Sequence, residues 1–353
     1  MARIIYGVSG EGSGHSSRAR VILTHLLDRG HTVKVVSYDR GFRNLREDFD
    51  VFETEGLHIA SADNRVSMVK TFTDNLQRLP RGHRKLQDLR RLFKDLRPDC
   101  VITDFEPMTA YLARHCNLPL ISIDNQHRMR YMSYPSPPGL SRDRLLTENI
   151  IRAMVPSPDV ALVTTFFFGQ ARNARTFLMP PILRDEVLGL QPGRQEHILV
   201  YLTNGFETFL EHLRSFTRER FVVYGYQREE TEGNLTFRPF SRSGFLADLA
   251  SCQAVMATAG FTLITEALFL GKPFLALPMR GQFEQELNGF LLAKLGYGMN
   301  LRRASPEVLA GFLYHLPEYR EALKSYRAED NRAIKAKLDE LLADRAAGAK
   351  AFI

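Results

Sequence analysis

Twice in this chain a short apolar run is followed at once by glycines and then by a segment with helical periodicity. The first unit is Ile4 to Val8, the turn Gly7-Val-Ser-Gly-Glu-Gly-Ser-Gly-His15, and a helix over Arg18 to Arg29 with Ala19, Ile22, Leu23, Leu26 and Leu27 on one face. Gly30-His31 stops that helix, and Thr32 to Ser37 reads as the next strand. The second unit is a strand over Ala254 to Thr258, Gly260, a helix with Glu266 near its start, a stop at Gly271-Lys272-Pro273, and a strand over Phe274 to Leu277. Two strands joined through a helix run parallel, so the pattern predicts an α/β chain with parallel sheets. Such sheets gather their ligands in the loops at the carboxyl ends of the strands.

At 353 residues the chain exceeds the usual size of one core, which predicts two domains. Asp99 to Asp104, Leu118 to Ile123 and Val160 to Phe168 continue the first set of strands, and Leu178 to Gly193 carries the turn residues of a linker. The pattern restarts at Ile198 to Leu202, with further strands over Phe221 to Tyr224 and Leu235 to Phe237. The expected division is a first domain over 1–180, a linker over 181–193, a second domain over 194–318, and carboxyl-terminal helices over 319–353 that pack back on the first domain. Two such domains would face each other across a cleft, with one substrate on each side.

Hydrophobic content of 44% and charged content of 25% exclude disordered and fibrous classes. No apolar run is long enough to span a bilayer, and the chain opens directly into the strand-like Arg3 to Val8, so the cytoplasm is the expected compartment. Cys100, Cys116 and Cys252 stand far apart, without metal-ligand spacing. A net charge of +7 favours anionic partners. Part of it lies in Lys70 to Arg97, where Leu86, Leu89, Phe93 and Leu96 recur at helical spacing. The basic helix over 81–97 is a candidate contact for an anionic acceptor or the inner face of a membrane. It lacks interleaved aromatics, and no nucleic-acid partner is expected.

The glycine turn is not a nucleoside-triphosphate loop, because Gly-Lys-Ser/Thr is absent, and Gly10-x-Gly12-x-Gly14 departs from the dinucleotide spacing. His15 closes that turn at the ligand edge of the sheet, where a side chain that titrates near neutrality can serve as a general base. Asp104 ends another strand of the same sheet and can orient it. Glu11 is an alternative base. Asp48-Phe-Asp50 looks like a metal-binding carboxylate pair, but nothing around it completes a site. In the second domain the amides after Gly260 offer an anion seat, and Glu266 and Gln285 suit hydroxyl-rich ligands. The polar run Asp124-Asn125-Gln126-His127-Arg128 follows a strand of the first domain and reads as acceptor contacts.

On these residues the sequence resembles the two-domain GT-B glycosyltransferases, most closely the family-1-like and family-28-like proteins related to MurG and the UDP-glycosyltransferases. The resemblance implies two Rossmann-like α/β/α domains facing across a cleft. It implies His15 as base and Asp104 as its orienter, with a donor site drawn from Gly14, Phe240, Ser241, Gly260, Thr262, Glu266, Glu284 and Gln285. Ser9, Ser13 and Arg18 are further candidates for the phosphates. Thr258-Ala259-Gly260 lacks the histidine that plant members place before the diphosphate glycine, and Glu284 stands where Asp or His is usual. The implied function is inverting, metal-independent transfer from a UDP-sugar to an acceptor hydroxyl, with no cofactor. A nucleotide-sugar 2-epimerase and a non-catalytic nucleotide-sugar-binding or membrane-recruitment subunit share the fold and stand as alternatives.

Overall fold

The computed structural model describes residues 1–56, 61–62, 65–66, 84–202 and 205–346. Strand β1 (Arg3–Val8) is buried at every position after its first, as a central strand covered on both faces must be. From it the chain builds outward through β2 (Thr32–Ser37) and Val51–Glu53, then returns to lay Cys100–Asp104 on the other side of β1. Leu120–Asp124, Val160–Thr164 and Thr176–Met179 complete a seven-stranded sheet, parallel throughout. The reversal of strand order between β1 and Cys100–Asp104 opens a crevice at their carboxyl ends. Val8 pairs with Asp104 at that crevice.

A second seven-stranded sheet repeats the plan around His197–Tyr201. Arg220–Tyr224 and Leu235–Phe237 extend one side, Val255–Thr258, Phe274–Leu277 and Gly298–Asn300 the other, and the order reverses between His197–Tyr201 and Val255–Thr258. The Gly260 turn leaves the sheet there. Among the described residues of this sheet, only the edge strand Glu230–Glu232 is antiparallel. Carboxyl-terminal helix Arg332–Ala346 lays Ile334, Leu338, Leu341 and Leu342 against Ile4, Tyr6, Ile22 and Leu26 of the first unit. His25 Nε2 meets Asp339 Oδ1 at 2.8 Å on the same contact.

Three elements differ from the sequence reading. Thr176–Met179 is a seventh strand where turn residues suggest the start of a linker; it is an edge strand with two half-buried positions, cut short by Pro180 and Pro181. Helix α1 runs Gly14–Asp28, so His15 belongs to its first turn and not to the loop. The basic helix is described over 84–96, with Leu89 and Phe93 buried; the rest of its expected length, Lys70 to residue 83, lies outside the described residues.

Glu106 shapes the backbone next to the crevice. It caps helix Pro107–His115, accepting from the Met108 and Thr109 amides at 2.9 and 2.8 Å. The capped carboxylate lies over β1, where a Cβ on Gly7 would meet Thr109 Oγ1 at 2.0 Å and Glu106 Oε2 at 2.8 Å. Burial raises the Glu106 carboxyl above its ordinary range despite hydrogen bonds from Thr109 and Met108. We expect Glu106→Ala to cost about 1–2 kcal/mol, the value of a helix cap. A raised folded-state pKa contributes stability below the unfolded value that is lost as pH rises through the folded one. The wild-type advantage over the variant should therefore be larger at pH 4 than at pH 7, measured by urea unfolding at both.

Candidate active site

His15 and Arg18 stand three residues apart on α1 and therefore share a face of the helix. Both turn onto Asp104, which has no exposed surface. His15 Nδ1 lies 2.7 Å from Asp104 Oδ1. Arg18 grips the same carboxylate with two bonds, Nε to Oδ2 at 2.6 Å and Nη2 to Oδ1 at 2.5 Å. This paired fork offsets the desolvation of a fully buried carboxylate. Arg18 Nη2 also lies 2.7 Å from His15 Nδ1, and one ring nitrogen cannot both donate and accept. We assign the Nδ1 proton to Asp104, because a bare Nδ1 would set its lone pair against Oδ1; Nε2 then carries the free lone pair. Nε2 has no protein partner among the described residues, and the His15 side chain is 9% exposed.

Phe105 follows Asp104 with φ 58, a left-handed conformation that a bulky side chain adopts only under constraint. Its ring stacks beside His15 at a centroid distance of 6.4 Å. Tyr6 lies in the sheet beneath, its hydroxyl buried without a hydrogen-bond partner among the described residues; burial and the Asp104 charge keep it protonated.

Across the crevice, the glycine turn meets the second domain. A Cβ on Gly14 would lie 2.7 Å from Thr262 Oγ1, so the close approach depends on glycine. Thr262 stands in the first turn of helix Phe261–Phe269, whose N-cap is Gly260 and whose free amides point to the same crevice. Glu266, one turn further on, is 2% exposed and held by Arg184, with both guanidinium-to-carboxylate distances 2.7 Å. Burial raises the Glu266 carboxyl, and Arg184 pulls the other way. Phe240 is exposed and packs on Tyr201 and Phe245, and Ser241 caps helix Arg242–Ser251.

The loop expected to contact an acceptor is seated against the second domain. Asn125 Nδ2 donates to Glu284 Oε1 at 2.6 Å, and Gln126 Nε2 lies 3.4 Å from Oε2. Arg128 is fully buried, with Nη2 donating to Asn288 Oδ1 at 2.5 Å and its carbon centre 4.9 Å above the Phe261 ring. Its Nε and Nη1 have no hydrogen-bond partner among the described residues, and burial pushes the guanidinium down to about 10, with Glu284 opposing. His127 is enclosed: Nδ1 lies 2.7 Å from Asp124 Oδ2 and the ring stacks on Tyr131. Burial works to raise the Asp124 carboxyl, but the His127 charge and the bonds from His127 and Ser122 hold it well below its ordinary range. Gln285 is engaged locally, accepting from the Met279 amide at 3.0 Å.

Arg184 and the double role of Arg18 are what sequence reasoning missed. Arg18 was a phosphate candidate; its spacing of three from His15 was the available signal. Arg184 lies in the linker and meets a partner 82 positions away, for which no local signal exists. Among the described residues no cluster of His, Cys, Asp or Glu is placed to hold a metal ion, and no helix is long and apolar enough to cross a membrane.

Residues 2–317 match the family described as glycosyl transferase family 1. The chain belongs to that family. It is a glycosyltransferase. It is similar to an uncharacterized glycosyltransferase of Methanosarcina mazei, 25% identical over 358 residues that cover 91% of this chain and 92% of that protein. Among solved structures it resembles the calicheamicin glycosyltransferase CalG4, with a TM-score of 0.69 and 14% identity over 99% of each chain. It also resembles the glycosyltransferase VinC in complex with dTDP, with a TM-score of 0.67 and 15% identity over 98% of this chain and all of that one, 100%. At these identities the structural likeness shows the GT-B fold, here two parallel α/β sheets of seven strands.

The buried Arg184–Glu266 pair gives a stability test. Arg184→Met leaves a buried carboxylate without its cation, and breaking such a pair costs about 3–5 kcal/mol. Replacing both residues by methionine should recover most of that loss in urea denaturation. Equal losses in the single and double variants would show that the loss does not come from the stranded carboxylate.

Proposed function

We propose that this glycosyltransferase moves a sugar from a nucleotide-sugar donor to an acceptor hydroxyl by a single displacement that inverts the anomeric carbon. The observation that carries the reading is the His15–Asp104 contact at the switch point of the first sheet, opposite the Gly260 turn of the second. His15 Nε2 takes the proton of the acceptor hydroxyl. The acceptor oxygen attacks the anomeric carbon from the face opposite the diphosphate, and the breaking bond leaves its electron pair on the diphosphate. Asp104 holds the ring and stabilises the imidazolium.

The leaving diphosphate carries the developing charge, and preorganised donors act best there. Thr262 and the amides that open helix Phe261–Phe269 are suited to it without a metal ion. Phe240 and Ser241 offer a platform for the base, Glu266 an acceptor pair for ribose hydroxyls, and Glu284 and Gln285 polar groups for the sugar. Ribose can use Glu266 only by displacing Arg184 from it. A pyrimidine nucleoside diphosphate is the expected carrier: the resemblance points to UDP, and the fold relative VinC is a dTDP complex. The acceptor loop is read as serving the donor side through Glu284, which leaves the acceptor to the open side of His15.

A panel of UDP- and dTDP-sugars with a hydroxyl acceptor tests this. His15→Ala should lower kcat by about a hundredfold or more, the scale of general-base catalysis, with Asp104→Asn also strongly impaired. Unchanged turnover in both variants would remove the base and its orienter. Incubation with donor alone should return the sugar nucleotide without epimerisation; an epimerised product would favour the 2-epimerase.

A further inference from the structure

Asp104 and Glu284 belong to different domains, yet one unbroken line of side-chain hydrogen bonds joins their carboxylates. Arg18 donates to Asp104 through Nε and Nη2, and its Nη1 donates to Asn125 Oδ1 at 2.6 Å. Asn125 Nδ2 in turn donates to Glu284 Oε1 at 2.6 Å. The polarity is consistent at each step. A guanidinium only donates, a carboxylate only accepts, and the amide between them accepts on one side and donates on the other. Flipping the Asn125 amide would set its nitrogen against Arg18 and its oxygen against Glu284, so both partners fix its orientation. Arg18 is 6% exposed and Asn125 1%, so little water competes for these bonds.

We infer that Arg18 and Asn125 are positioning residues that tie the His15–Asp104 pair to the second domain, so that the base is held for reaction only while Glu284 is seated against the first domain. The inference rests on the proposed reading of His15 as base. Glu284 lies in the first turn of helix Phe283–Lys294 and moves with the second sheet, whereas Asp104 ends a strand of the first. Separation of the domains must break the Asn125–Glu284 bond. Arg18 Nη1 then loses the group that fixes its acceptor, and the guanidinium that grips Asp104 beside His15 is freed to shift. Linking base alignment to closure confines proton removal to the state in which water is excluded, which favours transfer over hydrolysis of the donor.

The bond can be reversed by two isosteric changes. Asn125→Asp keeps an oxygen for Arg18 but opposes Glu284 with a second carboxylate, and should lower kcat at saturating substrates by about tenfold or more, with a smaller change in donor KM. Glu284→Gln alone also weakens the line. In the combined variant the new amide at 284 donates to the new carboxylate at 125, the line is restored in the opposite direction, and kcat should exceed the product of the single effects by about fivefold or more. A combined kcat equal to that product overturns the tie. His15→Ala is measured alongside: turnover persisting in it sinks the reading of the base, whereas an inactive His15→Ala with multiplicative effects at 125 and 284 sinks the tie alone. If Asn125→Asp fails to fold by circular dichroism, the cycle of Asn125→Ser with Glu284→Ala decides by the same criterion, non-multiplicative losses supporting the tie and multiplicative losses overturning it.

Discussion

An ionised carboxylate with no exposed surface needs cations and hydrogen bonds around it, and Asp104 obtains both from one helix. Arg18 supplies the charge and His15 the second donor, from adjacent turns of α1. That requirement sets the register of α1 over the sheet and forces the glycine turn to deliver a helix, not a loop, at Gly14. It also requires β1 and Cys100–Asp104 to be neighbours, which the reversal of strand order provides. The capped helix after Glu106 and the left-handed Phe105 hold the carboxyl end of that strand in place.

The second consequence concerns the domain boundary. A donor site built only on the second sheet would leave Glu266 and Glu284 free for hydroxyl groups, but here both are taken. Arg184 of the linker holds Glu266, and Asn125 with Gln126 holds Glu284. Arg128 adds a buried cation between Phe167 and Phe261 with two nitrogens unpartnered among the described residues, a costly arrangement that only close domain contact sustains. In the proposed reading Arg184 stands at Glu266 in place of the sugar nucleotide, offering a cationic donor where the ligand would offer hydroxyls. Under that reading donor binding exchanges hydrogen-bond partners at Glu266 and leaves the Asn125–Glu284 bond in place.

Much of the fold was legible because buried parallel strands are short apolar runs and glycines mark their exits. β1, left through Gly10, and Val255–Thr258, left through Gly260, both show this. Thr176–Met179 was not legible, since an edge strand needs no continuous apolar run and Pro180 imitates a linker. His15 and Asp104 could be paired from topology alone, as His15 follows β1 across the glycine turn, Asp104 ends Cys100–Asp104, and those two strands share one rim. What could not be read was which other side chains reach that rim. Arg18 lies 86 residues from Asp104 and Asn125 lies 159 from Glu284, and such distances leave no trace in local periodicity. The run after Asp124 was recognised as polar and close to the cleft, but polarity does not reveal which domain it faces. His127 illustrates the limit, because the same residue type at the same edge is enclosed by Asp124 and Tyr131.

The central claim is a single displacement in which His15 deprotonates the acceptor while the diphosphate leaves from the opposite face of the sugar. The anomeric configuration of the product, read by proton NMR after transfer from an α-linked nucleotide sugar, tests it most directly. Single displacement yields a β-linked product in the wild-type enzyme. An α-linked product would require retention, and with it a different mechanism and a different role for the His15–Asp104 pair.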